Sequence, residues 1–345
     1  MKAAVYYGIE NVKVEEREKP VPGPKDVIVK NMCAGICGTD INAYYHGGEA
    51  YGILPDHIFG HEMAGVVVEV GQEVKDIPVG TRCFVNPVTI KAPGSAPAIQ
   101  IADMAGAFGE YVRVENAEID DNIFPLPDNV SFEETAIIEP FNVGNCAVNN
   151  GRAKAGEKCV VYGAGPIGLC AAAALKGKGI KDIVIIDLND HRLEVAKKMD
   201  PDTFNPKTDG DLQSYLTQRF GSGPIGNAGN QTVDVDLFLD ATGAPNVIPE
   251  FFQMCKRFAR HVVIAVYKQA IEFNPLPMLN QECSIIGTGP YDSDMVKKVI
   301  GYLEAKNTGI ENIITHRFKL DEINEAFKIA RTDPQAIKML IDYRE

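Results

Sequence analysis

The fold of this chain is decided by one stretch, residues 158–168, which reads Lys-Cys-Val-Val-Tyr-Gly-Ala-Gly-Pro-Ile-Gly. Its first five residues are mostly apolar and include two adjacent valines, which is typical of a short buried strand. They run directly into glycines spaced Gly-x-Gly-x-x-Gly, and the small-residue segment 169–175 follows. Strand-like and helical segments then alternate as far as residue 267. This alternation predicts a doubly wound parallel sheet.

The glycine-rich turn is a candidate binding site for a dinucleotide. Gly163 would allow the tight turn, Gly165 would let the backbone approach a pyrophosphate, and Gly168 would let helix and strand pack closely. Asp187 follows at the end of the second strand, where a carboxylate binds ribose hydroxyls and repels a 2′-phosphate, so NAD is favoured over NADP. Arg192 could partly offset this preference by contacting ribose or phosphate. The other predicted cofactor contacts are Pro166, Ile167 and Thr242. The alternative is that the glycines serve packing alone.

The first part of the chain has a different pattern. Short segments separated by Gly and Pro predict many short strands, and therefore a compact β-rich domain. Residues 88–105 show turn chemistry and no core pattern, which predicts a surface loop. After about residue 287 two helices and a closing strand are expected, and this tail should return to the first domain. The predicted division is a β-rich domain at 1–148, an NAD-binding domain that contains the doubly wound sheet at 149–286, and the returning segment at 287–345.

The bulk composition excludes several classes of function. The chain has 345 residues, a formal net charge of −13 and a sequence pI of about 5.0. This charge repels phosphate backbones and anionic lipids, so we expect neither a nucleic-acid nor a membrane partner. No apolar run approaches the roughly 20 residues that span a bilayer, and the N-terminus does not resemble a signal peptide. Eight cysteines without a regular framework indicate reduced thiols and a cytoplasmic protein.

Two short glycine-containing turns present residue types that bind metals. Cys37-Gly38-Thr39-Asp40 carries a thiol, Gly60-His61-Glu62 carries an imidazole and a carboxylate, and Glu139-Pro140 offers a second carboxylate. Cys, His and Glu together suit zinc, and three protein ligands with one open position describe a catalytic site. Taken singly, each residue has a simpler explanation, as a core cysteine, a hydrogen-bonded histidine or a solvated carboxylate. Their combination beside a dinucleotide fold favours a metal site.

In these motifs the chain resembles the zinc-dependent medium-chain dehydrogenase/reductase family, which includes alcohol, sorbitol and threonine dehydrogenases. The matching motifs, in family order, are Ala34-Gly35-Ile36-Cys37-Gly38-Thr39-Asp40, Gly60-His61-Glu62-x-x-Gly65, Gly109-Glu110-Tyr111-Val112, Glu139-Pro140 and the turn at 163–168. The resemblance implies an α/β protein in which a GroES-like β-rich catalytic domain accompanies a Rossmann domain, with the active site in the cleft. By family analogy alone, it also implies a homo-oligomer, either a dimer or a tetramer.

The resemblance assigns roles to individual residues. Cys37, His61 and Glu62 look like zinc ligands of the polyol-dehydrogenase type, and Glu139 stands where ethanol-type members use a cysteine. Because His61 and Glu62 are adjacent, Glu62 is expected to exchange with Glu139 or with water. Thr39 looks like the hydroxyl that passes the substrate proton outward.

Three departures from the family pattern matter. Residues 86–106 contain no cysteine for the structural zinc of the family, so we predict one zinc per chain. The relay position often held by His is Asn42, and the substitutes nearest in sequence are His46 and His57. The glycine-rich turn usually found near the nicotinamide reads Phe258-Ala259-Arg260, and Tyr267 stands where a Gly is usual.

The expected function is a zinc- and NAD-dependent oxidoreductase that interconverts a secondary alcohol, resembling a polyol or sugar alcohol, with its ketone. Thr39, Glu62 and His46 are its predicted catalytic residues. An alternative substrate is threonine or a bulkier cyclic alcohol or steroid, since the cleft could be lined by Tyr44, Tyr45, Tyr51, Phe141 and Tyr291. A hypothesis from a different class is a catalytically silent NAD-binding structural or sensor protein, because a fold alone does not determine function.

Overall fold

The structure is a computed structural model that describes residues 1–87, 105–224 and 231–344. The predicted surface loop at 88–105 lies outside these ranges except for its last residue. The chain folds into two compact units. The first contains the described residues of 1–139 and 314–344, and the second is Pro140–Ile313.

Within the described ranges the strands are β1 (Lys2–Gly8), β2 (Asn11–Glu16), β3 (Val27–Gly35), β4 (His57–Ile58), β5 (Glu62–Val70), β6 (Arg82–Val85), β7 (Tyr111–Val114), β8 (Ile123–Pro125), β9 (Lys158–Tyr162), β10 (Asp182–Ile186), β11 (Asp202–Phe204), β12 (Leu237–Asp240), β13 (Arg260–Val263), β14 (Ser284–Gly287), β15 (Ile314–Phe318) and β16 (Lys338–Asp342). The helices are α1 (Gly38–His46), α2 (Phe132–Ala136), α3 (Ile138–Asn150), α4 (Pro166–Gly177), α5 (Asp190–Lys198), α6 (Leu212–Phe220), α7 (Val247–Met254), α8 (Leu276–Gln281), α9 (Ser293–Glu304) and α10 (Ile323–Thr332). No helix in the described ranges combines the length and the apolar character that crossing a bilayer demands.

The first unit is built on two sheets. Strands β2, β1 and β4 form the smaller one, and the larger runs β15-β16-β3-β5-β6-β8, with β7 also pairing with β3. Strand β3 is central because it pairs with β16, β5 and β7, and its Val27, Ile28 and Val29 are fully buried. Its antiparallel register places Gly35 opposite Glu62 at the start of β5. This pairing brings the segment after β3 next to the segment before β5.

The second unit is a parallel sheet in the order β11-β10-β9-β12-β13-β14. The chain moves outward from β9 through β10 to β11 and then crosses back to β12, as in a doubly wound sheet. The β-rich unit and this parallel sheet confirm the predicted fold class. In such sheets, ligands bind outside the carboxyl ends of the strands, where the winding direction reverses. That edge carries the residues that follow β9, β10 and β12.

The boundaries of the units differ from those predicted. The second unit begins at Pro140, within α3, rather than at 149, and extends to Ile313 rather than to 286. Strand β14 is the sixth strand of the parallel sheet, and both α9 and the short 3₁₀ turn Ile310–Ile313 contact α4. The return to the first unit therefore starts with β15, which pairs with β16 and through it with β3.

His261 makes the stability of the second unit sensitive to acid. This histidine of β13 is fully buried, its ring lies 5.0 Å from that of Phe251, and neither ring nitrogen has a hydrogen-bond partner among the described residues. Burial lowers the pKa of His261 from 6.5 to about 4, against an opposite effect of Asp240. Below pH 6.5 the unfolded chain therefore takes up a proton that the folded chain does not, so the free energy of unfolding falls until about pH 4.

We expect this group to remove on the order of 3 kcal/mol of stability between pH 6.5 and pH 4. Urea unfolding of the wild-type protein and His261→Phe at several pH values checks this. Carboxylates titrate in both proteins, so only the difference between the two curves reports on His261. Two parallel curves would contradict the expectation.

Candidate functional site

The first candidate ligand lies at the start of a helix. Cys37 directly precedes α1, and Asp40, which is fully buried, accepts a hydrogen bond from the Cys37 backbone N–H at 2.9 Å. Thr39, the second residue of α1, has its Oγ1 3.6 Å from Cys37 Sγ. Cys37 therefore lies at the end of α1 that carries the partial positive charge of the helix.

His61 and Glu62 reach the same place from the start of β5. Gly60 before them has φ +87°, and a Cβ there would lie 2.8 Å from ring carbons of Phe108, so this turn requires glycine. The Cys37, His61 and Glu62 donor atoms all lie within 4.8 Å of one another. His61 and Glu62 are buried, whereas Cys37 is half-buried and so accessible to a small ligand.

This donor set fits zinc. Sulfur, imidazole nitrogen and carboxylate oxygen are all zinc ligands, and donors of a tetrahedral zinc site stand about 3.5 Å apart. Three protein donors leave a fourth position for water or substrate. Glu139, in the first turn of α3, is not part of the close group, so its role as a ligand stays a prediction.

Sequence reasoning missed a residue that contacts this site. Lys338, at the start of β16, forms an ion pair with Glu62, and their side chains are only 2% and 0% exposed. Lys338 Nζ also donates to the carbonyl oxygen of Ile36 at 3.0 Å. A Cβ at Gly35 would lie 1.9 Å from Glu62 Oε2, so the glycine makes room for this pair. Only the pairing of β16 with β3 brings Lys338 here, and no local signal in the sequence indicated it.

The predicted proton-relay histidine lies at the far end of α1. His46 is exposed and ends the helix, seven residues after Thr39. At a rise of 1.5 Å per residue the two are separated by about 10 Å along the axis, more than one hydrogen bond spans. A relay from Thr39 to His46 therefore requires intervening water. This role of His46 also stays a prediction.

The glycine-rich turn has the geometry that a dinucleotide site needs. Gly163 has φ +98°, and a Cβ on Gly168 would lie 1.8 Å from the Gly163 carbonyl oxygen. Gly165 precedes α4, whose first residues are Pro166 and Ile167. The nearest atom to a Cβ at Gly165 would be Arg192 Nη1, 3.8 Å away, so space is open beside the helix N-terminus. That opening is where a pyrophosphate binds in such folds.

Asp187 and Arg192 flank this turn. One oxygen of the Asp187 carboxylate accepts the Ala164 N–H at 2.7 Å, and the other accepts the Asn189 N–H at 2.9 Å. The carboxylate is therefore fixed beside the glycines. Arg192 Nε is buried and has no hydrogen-bond partner among the described residues. A buried donor without a partner is costly, and a bound ribose or phosphate oxygen would satisfy it.

Thr242 lies on the same edge of the sheet, directly after β12. Its backbone N–H and its hydroxyl donate to Asp240 Oδ1 at 2.8 and 2.7 Å. The hydroxyl of Tyr267 donates to the other Asp240 oxygen at 2.6 Å, and burial, with this hydrogen bond, raises the pKa of Tyr267. Tyr267 thus ties the segment after β13 to the turn that carries Thr242.

Phe258-Ala259-Arg260, one of the departures from the family pattern, lies at the other end of the sheet from the predicted cofactor residues. This segment leads into β13 and so lies at the amino end of the sheet, away from the edge that carries Gly163, Asp187 and Thr242.

Comparisons with known proteins give two family matches and many similar proteins. The family described as "Alcohol dehydrogenase GroES-like domain" matches residues 23–128, and that described as "Zinc-binding dehydrogenase" matches residues 166–316. The chain is 30% identical to a D-xylulose reductase of Scheffersomyces stipitis, over 97% of this chain and 96% of that one. It is 28% identical to an (R,R)-butanediol dehydrogenase of Bacillus subtilis (strain 168), over 99% of each chain.

A solved structure supports the cofactor class. An alcohol dehydrogenase from E. coli CFT073, complexed with NADH, superposes with a TM-score of 0.83 at 26% identity over 99% of each chain. Together with the match to zinc-binding dehydrogenases, this supports zinc and a nicotinamide nucleotide as cofactors. The chain therefore belongs to the zinc-dependent medium-chain dehydrogenase family and is an oxidoreductase that acts on CH–OH groups.

Proposed function

We propose that this enzyme interconverts a secondary alcohol, of the polyol or sugar-alcohol type, with its ketone, using NAD and one zinc ion per chain. The observation that carries the proposal is the close group of Cys37, His61 and Glu62 donors. The two relatives named above act on a diol and a sugar, which are hydroxyl-rich substrates. The lack of cysteine at 86–106 supports a single zinc.

Different residues of the chain would bind the metal, transfer the proton and position the metal-binding carboxylate. Cys37, His61 and Glu62 would hold zinc, with Glu139 as an exchanging carboxylate. Zinc bound there would supply Lewis acidity, and the nicotinamide would accept the hydride. Thr39, whose hydroxyl lies 3.6 Å from Cys37 Sγ, would accept the substrate hydroxyl proton and pass it toward His46 through water. Lys338 holds the Glu62 carboxylate and neutralises it when no metal does.

Four of the five aromatic residues that suggest a bulky apolar substrate are engaged in packing. Tyr44 is 4% exposed, with its ring 4.8 Å from that of Phe327, and Tyr45 donates its hydroxyl to the Phe327 carbonyl at 3.3 Å. Tyr51 packs against the same core, and Phe141 is fully buried. These contacts favour the polyol over the steroid alternative.

A single combined experiment tests the proposal. Zinc is measured in the purified protein, and NAD reduction is assayed with polyols, vicinal diols, cyclic alcohols, steroids and threonine. We expect one zinc per chain and the highest kcat/KM among the polyols and diols. Two zinc ions per chain would contradict the zinc count. Preferred oxidation of a steroid or of threonine would contradict the substrate class, and no oxidation of any alcohol would favour the silent sensor protein.

The cofactor preference follows from two side chains of opposite charge. Asp187→Ala is expected to lower the ratio of kcat/KM with NAD to that with NADP by about tenfold or more, because one repelled phosphate is worth at least about 1.4 kcal/mol. Arg192→Ala is the matched variant and should raise the same ratio, since it removes a cation that can attract the 2′-phosphate. Steady-state kinetics with both cofactors measure the two ratios. Shifts in the same direction would contradict these roles.

We also propose a cytoplasmic homo-oligomer. All eight cysteines are free, which supports a reducing compartment. Strand β14 ends the parallel sheet with an open edge among the described residues, and the preceding α8 exposes Leu276 and Leu279 at 52% and 76%. Open edges and exposed leucines are features of subunit interfaces. Leu279→Lys is expected to shift the protein to a smaller species in analytical ultracentrifugation, whereas Leu54→Lys, in the first unit, should not.

A further inference from the structure

A pocket of about 530 Å³ opens at the amino end of the parallel sheet. Its walls include Glu157, which precedes β9, Asp236, which precedes β12, and Arg260, which starts β13. The predicted cofactor residues follow the other ends of these strands. The pocket is thus separate from the cofactor site, and its volume suits a small molecule.

The acidic residues of this pocket are already neutralised within its walls. Asp234 accepts from Lys158 at 2.5 Å and from Lys256 at 2.7 Å, and Lys256 also contacts Asp236 at 2.5 Å. Glu157 pairs with Arg260 at 2.7 Å. Because each of these carboxylates is already paired with a basic side chain, none of them requires a further cation.

Two basic side chains on the pocket wall have no paired carboxylate among the described residues. These are Arg152 and Lys154, both of which are exposed. Arg257 is a third cation, although it contacts Glu282, with 2.8 Å from its Nε to Oε1. In a chain of net charge −13, this local excess of positive charge attracts anions to one place.

An aromatic ring stands beside these cations. Phe258 is 59% exposed and has φ +64°, a left-handed conformation that is unfavourable for a phenylalanine. The Arg257 guanidinium lies 4.7 Å from the centre of the Phe258 ring. An exposed ring beside a guanidinium offers a surface on which a flat heterocycle can stack.

We propose that this pocket binds a nucleotide, with Arg152 and Lys154 on its phosphate and Phe258 against its base. Arginine and lysine bind phosphate oxygens by charge-assisted hydrogen bonds. The site is additional to the cofactor site and independent of the identity of the alcohol substrate.

The test uses the intact protein saturated with NADH, so that the cofactor site is filled. AMP is titrated calorimetrically, with ribose 5-phosphate as a probe that lacks the base. The double variant Arg152→Ala/Lys154→Ala should weaken AMP binding by about tenfold or more and leave NADH affinity unchanged. The control Lys25→Ala/Lys75→Ala removes the same charge from exposed lysines of the first unit and should change AMP affinity less than about twofold.

A third variant separates the base from the phosphate. Phe258→Ala should weaken AMP by about fivefold or more without affecting ribose 5-phosphate. Absence of AMP binding to the NADH-saturated protein would overturn the proposal. Equal AMP affinity in the double variant and its control would also overturn the proposal. AMP would then bind outside this pocket, for example in the cofactor site after displacing NADH. Equal affinities of wild-type protein for AMP and ribose 5-phosphate would remove the nucleotide assignment.

Discussion

Replacing Cys37 by serine is expected to remove bound zinc and catalytic activity together. Cys37 provides the one sulfur donor in the close group with His61 and Glu62, and a neutral serine hydroxyl is a far weaker zinc ligand than a thiolate. Lewis-acid stabilisation contributes several kcal/mol, and about 1.4 kcal/mol corresponds to a factor of ten, so kcat/KM should fall on the order of 10³-fold or more. Metal analysis by mass spectrometry and steady-state kinetics measure the two losses.

The matched control is Cys146→Ser in the second unit. Cys146 Sγ contacts the Gly289 carbonyl oxygen at 3.2 Å, a hydrogen bond that a serine hydroxyl can also make. This variant should keep its zinc and its activity. If Cys37→Ser retained both, the assignment of the ligands would be wrong. Circular dichroism of both variants separates loss of metal from loss of fold.

Replacing Lys338 by methionine is expected to lower the free energy of unfolding of the metal-free protein by about 3–5 kcal/mol. Methionine has a similar length but no charge, and it would leave Glu62, whose side chain is fully buried, without its cation. An unpaired buried carboxylate is costly because water cannot solvate it. Urea unfolding after removal of metal by a chelator measures the change, so that zinc does not neutralise Glu62.

Two further variants test whether the loss of stability comes from leaving a buried charge unpaired. Lys2→Met removes the exposed ion pair between Lys2 and Asp321, whose side chains are 49% and 60% exposed, and should lower the free energy of unfolding far less than Lys338→Met does. Glu62→Gln/Lys338→Met removes both buried charges and should recover most of the stability that Lys338→Met loses. If Lys2→Met and Lys338→Met had equal effects, burial would not be the source of the cost.

Local sequence was sufficient to predict the elements on which the sites are built. Gly163, Gly165 and Gly168 were recognised because a strand, a tight turn and a helix form within eleven consecutive residues. The family, the fold class and the oxidoreductase class were also predicted from motifs, and the comparisons confirm them. The catalytic roles of Thr39, Glu62 and His46 stay predictions, as does zinc binding by Cys37, His61, Glu62 and Glu139.

The contacts that these motifs make with distant residues could not be predicted from local sequence. Nothing in the sequence identified Lys338 as a partner of Glu62, because a lysine at the start of a strand is ordinarily solvated. The contact between Tyr267 and Asp240 depends on two strands lying side by side. The position of Phe258 at the amino end of the sheet likewise depends on the direction of β13, which sequence order alone does not give.

The sequence by itself determined which residue types are available to bind a metal and a dinucleotide, because thiol, imidazole, carboxylate and glycine act through their own chemistry and through short-range geometry. Tertiary structure decided which of them meet. Pairing of β3 with β5 and β16 brought Cys37, His61, Glu62 and Lys338 together from distant parts of the chain. The physical reason is that strand register and burial arise from contacts between distant segments, which no local stretch of sequence contains.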